Sequence, residues 1–225
     1  MPLPMIHLAV VMAMAENEPI YDEPQHLLGS LAPDAIHMRP GWTREDKVRI
    51  HLRRYDGSLS PDVGSLLSAS ATAPQGQRDL AEGYAIHLLT DWLWLNDVVA
   101  ELRSALGPVS LDALRAVYYA DLDPLDAWLY QTKSWRPLVW NKLETAEALD
   151  LPGLVTAEEI DGWRRRTLAW FDDRAGESIA DGRHITRARV EGFVARAGRE
   201  MPTLLEQLRR GGSVEAMGAS AAQTN

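Results

Sequence analysis

The longest unbroken signal in the chain runs from residue 77 to residue 106. It carries apolar side chains at helical spacing and closes on Gly107 and Pro108, a helix-stop pair. The same pattern, capped and restarted, fills most of the remaining sequence. Period-two alternation bounded by tight turns, the mark of strands, is scarce. The expected fold is all-α, a single multi-helical domain over residues 1–210 followed by a small, polar, disordered tail over 211–225. No internal repeat or central linker divides it.

The other helices are read from their ends. Residues 4–15 form a first apolar helix, and 24–32 a short one ending at Pro33, with a loop holding Asp34, His37 and Pro40 after it. Thr43 precedes Glu45 and Asp46 as an N-cap, with acidic groups in the first turn favoured by the helix dipole. Residues 61–70 suit a short helix and 72–77 a loop. Ser110 caps a helix to about Ala120, and Pro124 starts another at its first position. A segment covers 135–149. Thr156 and Glu159 make a capping box for a helix to about 174, and a last helix runs from Thr186 to Arg210, with a break expected near Pro202.

Composition limits the function classes. With 32 acidic against 23 basic residues the formal charge is −9, which argues against general binding of a nucleic-acid backbone. It leaves room for a small phosphorylated substrate, because a local metal can overrule net charge. There are no cysteines, so any metal must be held by His, Asp, Glu or backbone oxygen. The apolar stretch from Met5 to Ala15 has no basic residues before it, contains His7, and is too short to span a bilayer. A cytoplasmic protein with no stable membrane insertion is expected.

The stretch "GYAIHLLTDWLW", residues 83–94, poses the chemical question. His87 and Asp91 are four residues apart and share a helix face, surrounded by Leu88, Leu89, Trp92 and Leu93. An uncompensated carboxylate there costs several kcal/mol, so a shared divalent metal is one answer. A buried His–Asp hydrogen bond, or an Asp91 facing solvent, is the other. In "LLGSLAPDAIHMR", Gly29 permits close approach of backbones and Pro33 places Asp34 at a turn, as a cap or as a carboxylate projecting into a cleft. His51, in "DKVRIHLRR", and His7, in "MIHLAVVMAMA", read individually as packed core histidines. His26 reads as surface. Taken together, His and Asp projecting inward from an all-α frame are a known way to build a metal site.

The order His7, "LLGSLAPDAIH", "DKVRIHL", "GYAIHLLTDWLW" resembles the zinc-dependent phospholipase C family, and its small bacterial relatives more than its secreted members. The likeness covers about residues 1–100, and "LRAVYYADLDPLDAWLY" extends it. It implies metal ligands on facing helices, with Asp34, His51, His87 and Asp91 as one cluster and His7 on a second ion bridged by Asp91. It further implies phosphoester hydrolysis, with Asp34 also activating the attacking water and the metals stabilising attacking and leaving oxygens.

The chain departs from that family in having no tryptophan before Trp42 and no later His-x-x-x-Glu pair; the only later histidine is His184, and position 188 is Ala. One or two Zn2+, or another divalent metal, is what the residues allow. Asp121, Asp123 and Asp126 could supplement the set, though capping around Pro124 explains them as well. His37 could be a substrate or supporting contact. Most tryptophans belong to the core, with Tyr118–Tyr119 and the 135–140 segment as the expected rim of a pocket. The expected activity is metal-dependent hydrolysis of a small-molecule or lipid phosphoester. A different metal-dependent reaction (hydrolase, lyase or cyclase) of specialised metabolism and a non-catalytic helical module remain as alternatives.

Overall fold

The computed structural model describes residues 2–54, 58–176 and 179–212. They contain ten α-helices and no sheet strand; two isolated bridges, Arg53 with Leu59 and Leu151 with Val155, are the only extended pairings among the described residues. The expected tail falls mostly on 213–225, outside the described residues.

Two helices form the interior. Helix α1 (Pro4–Ala15) buries an unbroken run from Met5 to Val11, and α5 (Gln75–Trp94) buries a run from Asp79 to Asp91. A helix apolar on every side has no solvent face to offer and must be enclosed. Around them lie α2 (Pro24–Gly29), α3 (Arg44–Ile50), α4 (Asp62–Ser70), α6 (Ala100–Leu106) and α7 (Leu111–Thr132). The shell is completed by α8 (Arg136–Thr145), α9 (Ala157–Asp173) and α10 (Arg187–Arg209). The last two are amphipathic, each burying one stripe: Ile160, Thr167 and Phe171 on α9, and Val190, Phe193, Ala197 and Met201 onward on α10.

The tightest crossing is α2 on α5. Gly29 and Gly83 meet there: a Cβ on Gly83 would lie 2.3 Å from the His26 carbonyl oxygen and 2.9 Å from the Gly29 Cα. Only two glycines permit backbones this close, and the crossing sets the segment after Gly29 directly over His87.

Several local readings need correction. Asp34 and His37 sit in a 3-10 segment, Ala32–Met38, not an open loop. The 77–106 signal is continuous helix, but with a π turn at Leu95–Val99 joining α5 to α6. Pro124 lies inside α7 and Pro202 inside α10, and neither ends its helix. An interior proline costs about 3 kcal/mol; around Pro124, burial of Leu122, Leu125, Trp128 and Leu129 outweighs it. The Thr156–Glu159 capping box is present, and Thr43, expected as an N-cap, makes a second box with Asp46. His26 is buried, not on the surface, with Nε2 3.5 Å from Glu82.

Candidate metal centre

The five residues singled out in the sequence converge. His7 comes from α1, Asp34 from the 3-10 segment, His51 from the C-cap of α3, and His87 and Asp91 from one face of α5. His7, His87 and Asp91 form one group that could hold a metal ion; Asp34, His51 and His87 form another, with His87 common to both. Within each group the ligand atoms lie within 4.8 Å of one another. Separations include 3.8 Å from His7 Nε2 to Asp91 Oδ1, 3.7 Å from His87 Nε2 to Asp91 Oδ2, and 3.5 Å from His51 Nε2 to Asp34 Oδ1. His51 Nε2 is also 4.0 Å from Asp91 Oδ2.

Backbone carbonyls aim two of the imidazoles. His87 Nδ1 is 2.8 Å from the Ser30 carbonyl oxygen and His51 Nδ1 is 3.0 Å from that of Lys47. A carbonyl can only accept, so each Nδ1 carries the proton and each Nε2 presents a lone pair to the cluster. That is the arrangement by which ligating histidines are oriented. His7 lies flat against His87, ring centroids 3.8 Å apart and planes within 4°. Its own two nitrogens have no hydrogen-bond partner.

A strained turn sets the remaining geometry. Leu52 takes φ +43°, the one non-glycine positive φ among the described residues. Such a conformation is costly for a γ-branched side chain and recurs at functional sites. It turns the chain between His51 and Arg53 so that both reach the cluster. Tyr84, wholly buried on α5, donates to the Ile50 carbonyl at 2.5 Å and fixes the end of α3 where the turn begins.

The electrostatics follow from burial and two cations. Burial alone would raise Asp34, but Lys47, 3.1 Å from Oδ1, and the nearby imidazoles hold its carboxyl well below the usual carboxylate range. Burial also works against Asp91, which is nonetheless held low by His87, Arg53, His7 and His51. Arg53 approaches Asp91 Oδ2 to 3.1 Å without the alignment of a hydrogen bond, and both Asp91 oxygens lack a hydrogen-bond partner. Burial first, and each other's charge second, push His7 well down; burial pushes His87 down as well. These two imidazoles, His7 and His87, are therefore held neutral, the form that ligates metal.

The donor set fits a metal. His7, His51 and His87 are each 1% exposed and Asp91 0%, yet the Nε2 atoms and both Asp91 oxygens have no hydrogen-bond partner. Buried polar groups in folded proteins are nearly always paired. Leaving this many unpaired costs several kcal/mol unless something occupies their common centre.

The supplementary carboxylates do not join. Asp121 accepts the backbone N–H groups of Arg183, His184 and Ile185 at 2.7–2.9 Å and holds that loop. Asp126 is buried at the start of α1 and accepts the Met5 N–H at 3.0 Å, a capping role. Asp123 and Asp126 line a cavity of about 250 Å3 that also touches Asp34. His37 supports the site: its Nε2 is 2.9 Å from Lys47 Nζ and 3.8 Å from Asp34. Lys47 and Arg53 were missed by the sequence reading; of the tryptophans read as mostly core, Trp163 and Trp170 line the cavity with Tyr119. Trp140, expected at the rim, is buried against Tyr130 and Phe171.

No family model, curated protein or solved structure matches the chain.

Proposed function

We propose that the protein is a metal-dependent phosphoester hydrolase, similar in chemistry to the zinc-dependent phospholipase C family. The observation that carries this reading is the set of unpaired, buried Nε2 and carboxylate oxygen atoms that gather in two groups sharing His87. Two groups of three His and Asp donors that share His87 suit zinc, which takes N and O ligands. Such an ion would supply Lewis acidity toward a phosphoryl oxygen and make a water more acidic.

The chain's own residues divide the remaining work. Lys47 and Arg53 are cations beside the two carboxylates, placed to take negative charge on a phosphoryl group. Contacts to Asp34 from Lys47, His51 and His37 all go to Oδ1, so Oδ2 is the atom that would accept a proton from the attacking water. With Lys47 on it, Asp34 is a poor base. Its basicity rises when Lys47 turns to the substrate. Asp91, enclosed and held ionised, contributes charge and not proton transfer.

The competing reading is a metal-free polar network, and Arg53 and Lys47 favour it because they already offset the two carboxylates. They do not satisfy the three Nε2 atoms. The test is hydrolysis of p-nitrophenyl phosphate and bis(p-nitrophenyl) phosphate by zinc-loaded protein, before and after chelation. Turnover that chelation abolishes, and that Asp91→Ala does not recover with added zinc, supports hydrolysis. Stoichiometric metal with neither ester turned over removes the phosphoester assignment.

A further inference from the structure

The cluster borders a second cavity, of about 450 Å3, which shares Lys47 and Tyr119 with the aromatic one. His51, whose Nε2 is 3.5 Å from Asp34, and Arg53, which is 3.1 Å from Asp91, form part of the wall of this cavity, so the cavity borders the cluster. Its charged lining is Arg44, Lys47, Arg53, Arg103 and Arg115, and no carboxylate is among its described lining residues. In a chain with 32 acidic and 23 basic residues, five cations without one acid is far from an average surface. The first cavity makes the contrast: Asp34, Asp123 and Asp126 line it alongside Lys47 and Arg166.

Arg44 and Lys47 come from α3, Arg53 from the turn after it, Arg103 from α6 and Arg115 from α7. Neither Arg44 nor Arg103 has an ion-pair partner among the described residues, and Arg115 reaches only the exposed Asp112, at 3.7 Å. Like charges gathered in one concavity repel each other unless an anion enters, so the arrangement raises local anion concentration. Between the arginines the walls are Leu95, Val99, Leu114 and Tyr118, and exposed Trp42 and Leu111 continue the apolar surface outward.

Taking the cluster as a phosphoester-hydrolysing site, we propose that this cavity is an anion subsite, and that the substrate carries a second phosphate or carboxylate group on an apolar scaffold. The reacting ester lies at the cluster, the second anion among Arg44, Arg103 and Arg115, and the scaffold against the aliphatic wall. The overall negative charge then acts against adventitious anions, and the arginine cavity admits the one that belongs.

The subsite is tested by binding, apart from turnover. Benzylphosphonate and phenylacetate, neither of which can be hydrolysed, are titrated calorimetrically into metal-stripped protein, with benzyltrimethylammonium as the cationic control. At least one anion binds saturably at one equivalent, and the cation does not. Arg44→Met and Arg103→Met each weaken that binding about tenfold, the scale of one lost charge-assisted contact, with thermal melting unchanged. The tighter of the two anions names the class. No saturable anion binding, or binding indifferent to both substitutions, overturns the subsite. Arginine-dependent binding by a protein that hydrolyses no phosphoester supports the subsite and removes the hydrolase reading. Zinc-dependent hydrolysis without arginine-dependent binding does the reverse.

Discussion

Gly83→Ala isolates the crossing that builds the site. The new Cβ would lie 2.3 Å from the His26 carbonyl oxygen, where ordinary contact begins near 3.4 Å, so α2 and α5 must part by about 1 Å. The obstacle is backbone, which cannot rotate away as a side chain can. Overpacking costs about 1–3 kcal/mol, and the upper part of that range applies here. Alanine returns about 1 kcal/mol of helix propensity, so the net loss is about 2 kcal/mol. For a chain of this length that is a fall in Tm of about 4–8 °C. Gly192→Ala is the matched control: it also lies inside a helix, α10, but its Cβ would meet nothing within 4 Å. It should raise Tm by about 2–4 °C. Parting α2 from α5 also pulls the Ser30 carbonyl off His87 Nδ1, so Gly83→Ala should bind metal more weakly and Gly192→Ala should not. Thermal melts of both metal-free variants, with zinc titrations, decide the matter. Gly83→Ala as stable as Gly192→Ala would refute the close crossing.

Other outcomes follow from the same geometry. Arg53→Met leaves Asp91 buried without its cation and should destabilise metal-free protein by about 3 kcal/mol, with zinc restoring most of the loss; chemical denaturation with and without zinc reads both. His7 and His87 have depressed pKa values in the fold, so their neutral state is fully compatible with stability above the ordinary value of 6.5. As pH falls below 6.5 the unfolded chain takes up protons that the folded cluster refuses, and metal-free stability should decline from there downward; melts from pH 8 to 5 test it. Thr43→Ala removes the capping box that starts α3 and should cost about 1 kcal/mol, measured by melting. Asp121→Ala frees the 183–185 loop from three backbone hydrogen bonds and should speed hydrogen exchange there without changing metal content.

The parts of the site legible in the sequence are those set by local spacing. His87 and Asp91 share a face because four residues make about one helical turn. Gly29 signalled a close approach, although its partner Gly83 could not be chosen without the crossing. His7, Asp34 and His51 were singled out only through a resemblance in their order, since nothing local says that the start of α1 and the end of α3 meet at one cluster. Arg53 and Lys47 were illegible because their roles depend on the left-handed turn at Leu52 and on the pairing of α3 with the 3-10 segment. Pro124 misled because tertiary burial overrode a local helix breaker. His26 misled because its polar neighbours in sequence are not its neighbours in the fold, where Glu82 and Tyr21 enclose it.

The central claim is that His7, Asp34, His51, His87 and Asp91 hold metal. Elemental analysis of purified protein tests it most directly, beside a folded His87→Ala/Asp91→Ala variant. The account predicts one or two equivalents of zinc or a similar divalent ion in the wild type and none in the variant. A wild type that stays metal-free after reconstitution would contradict it.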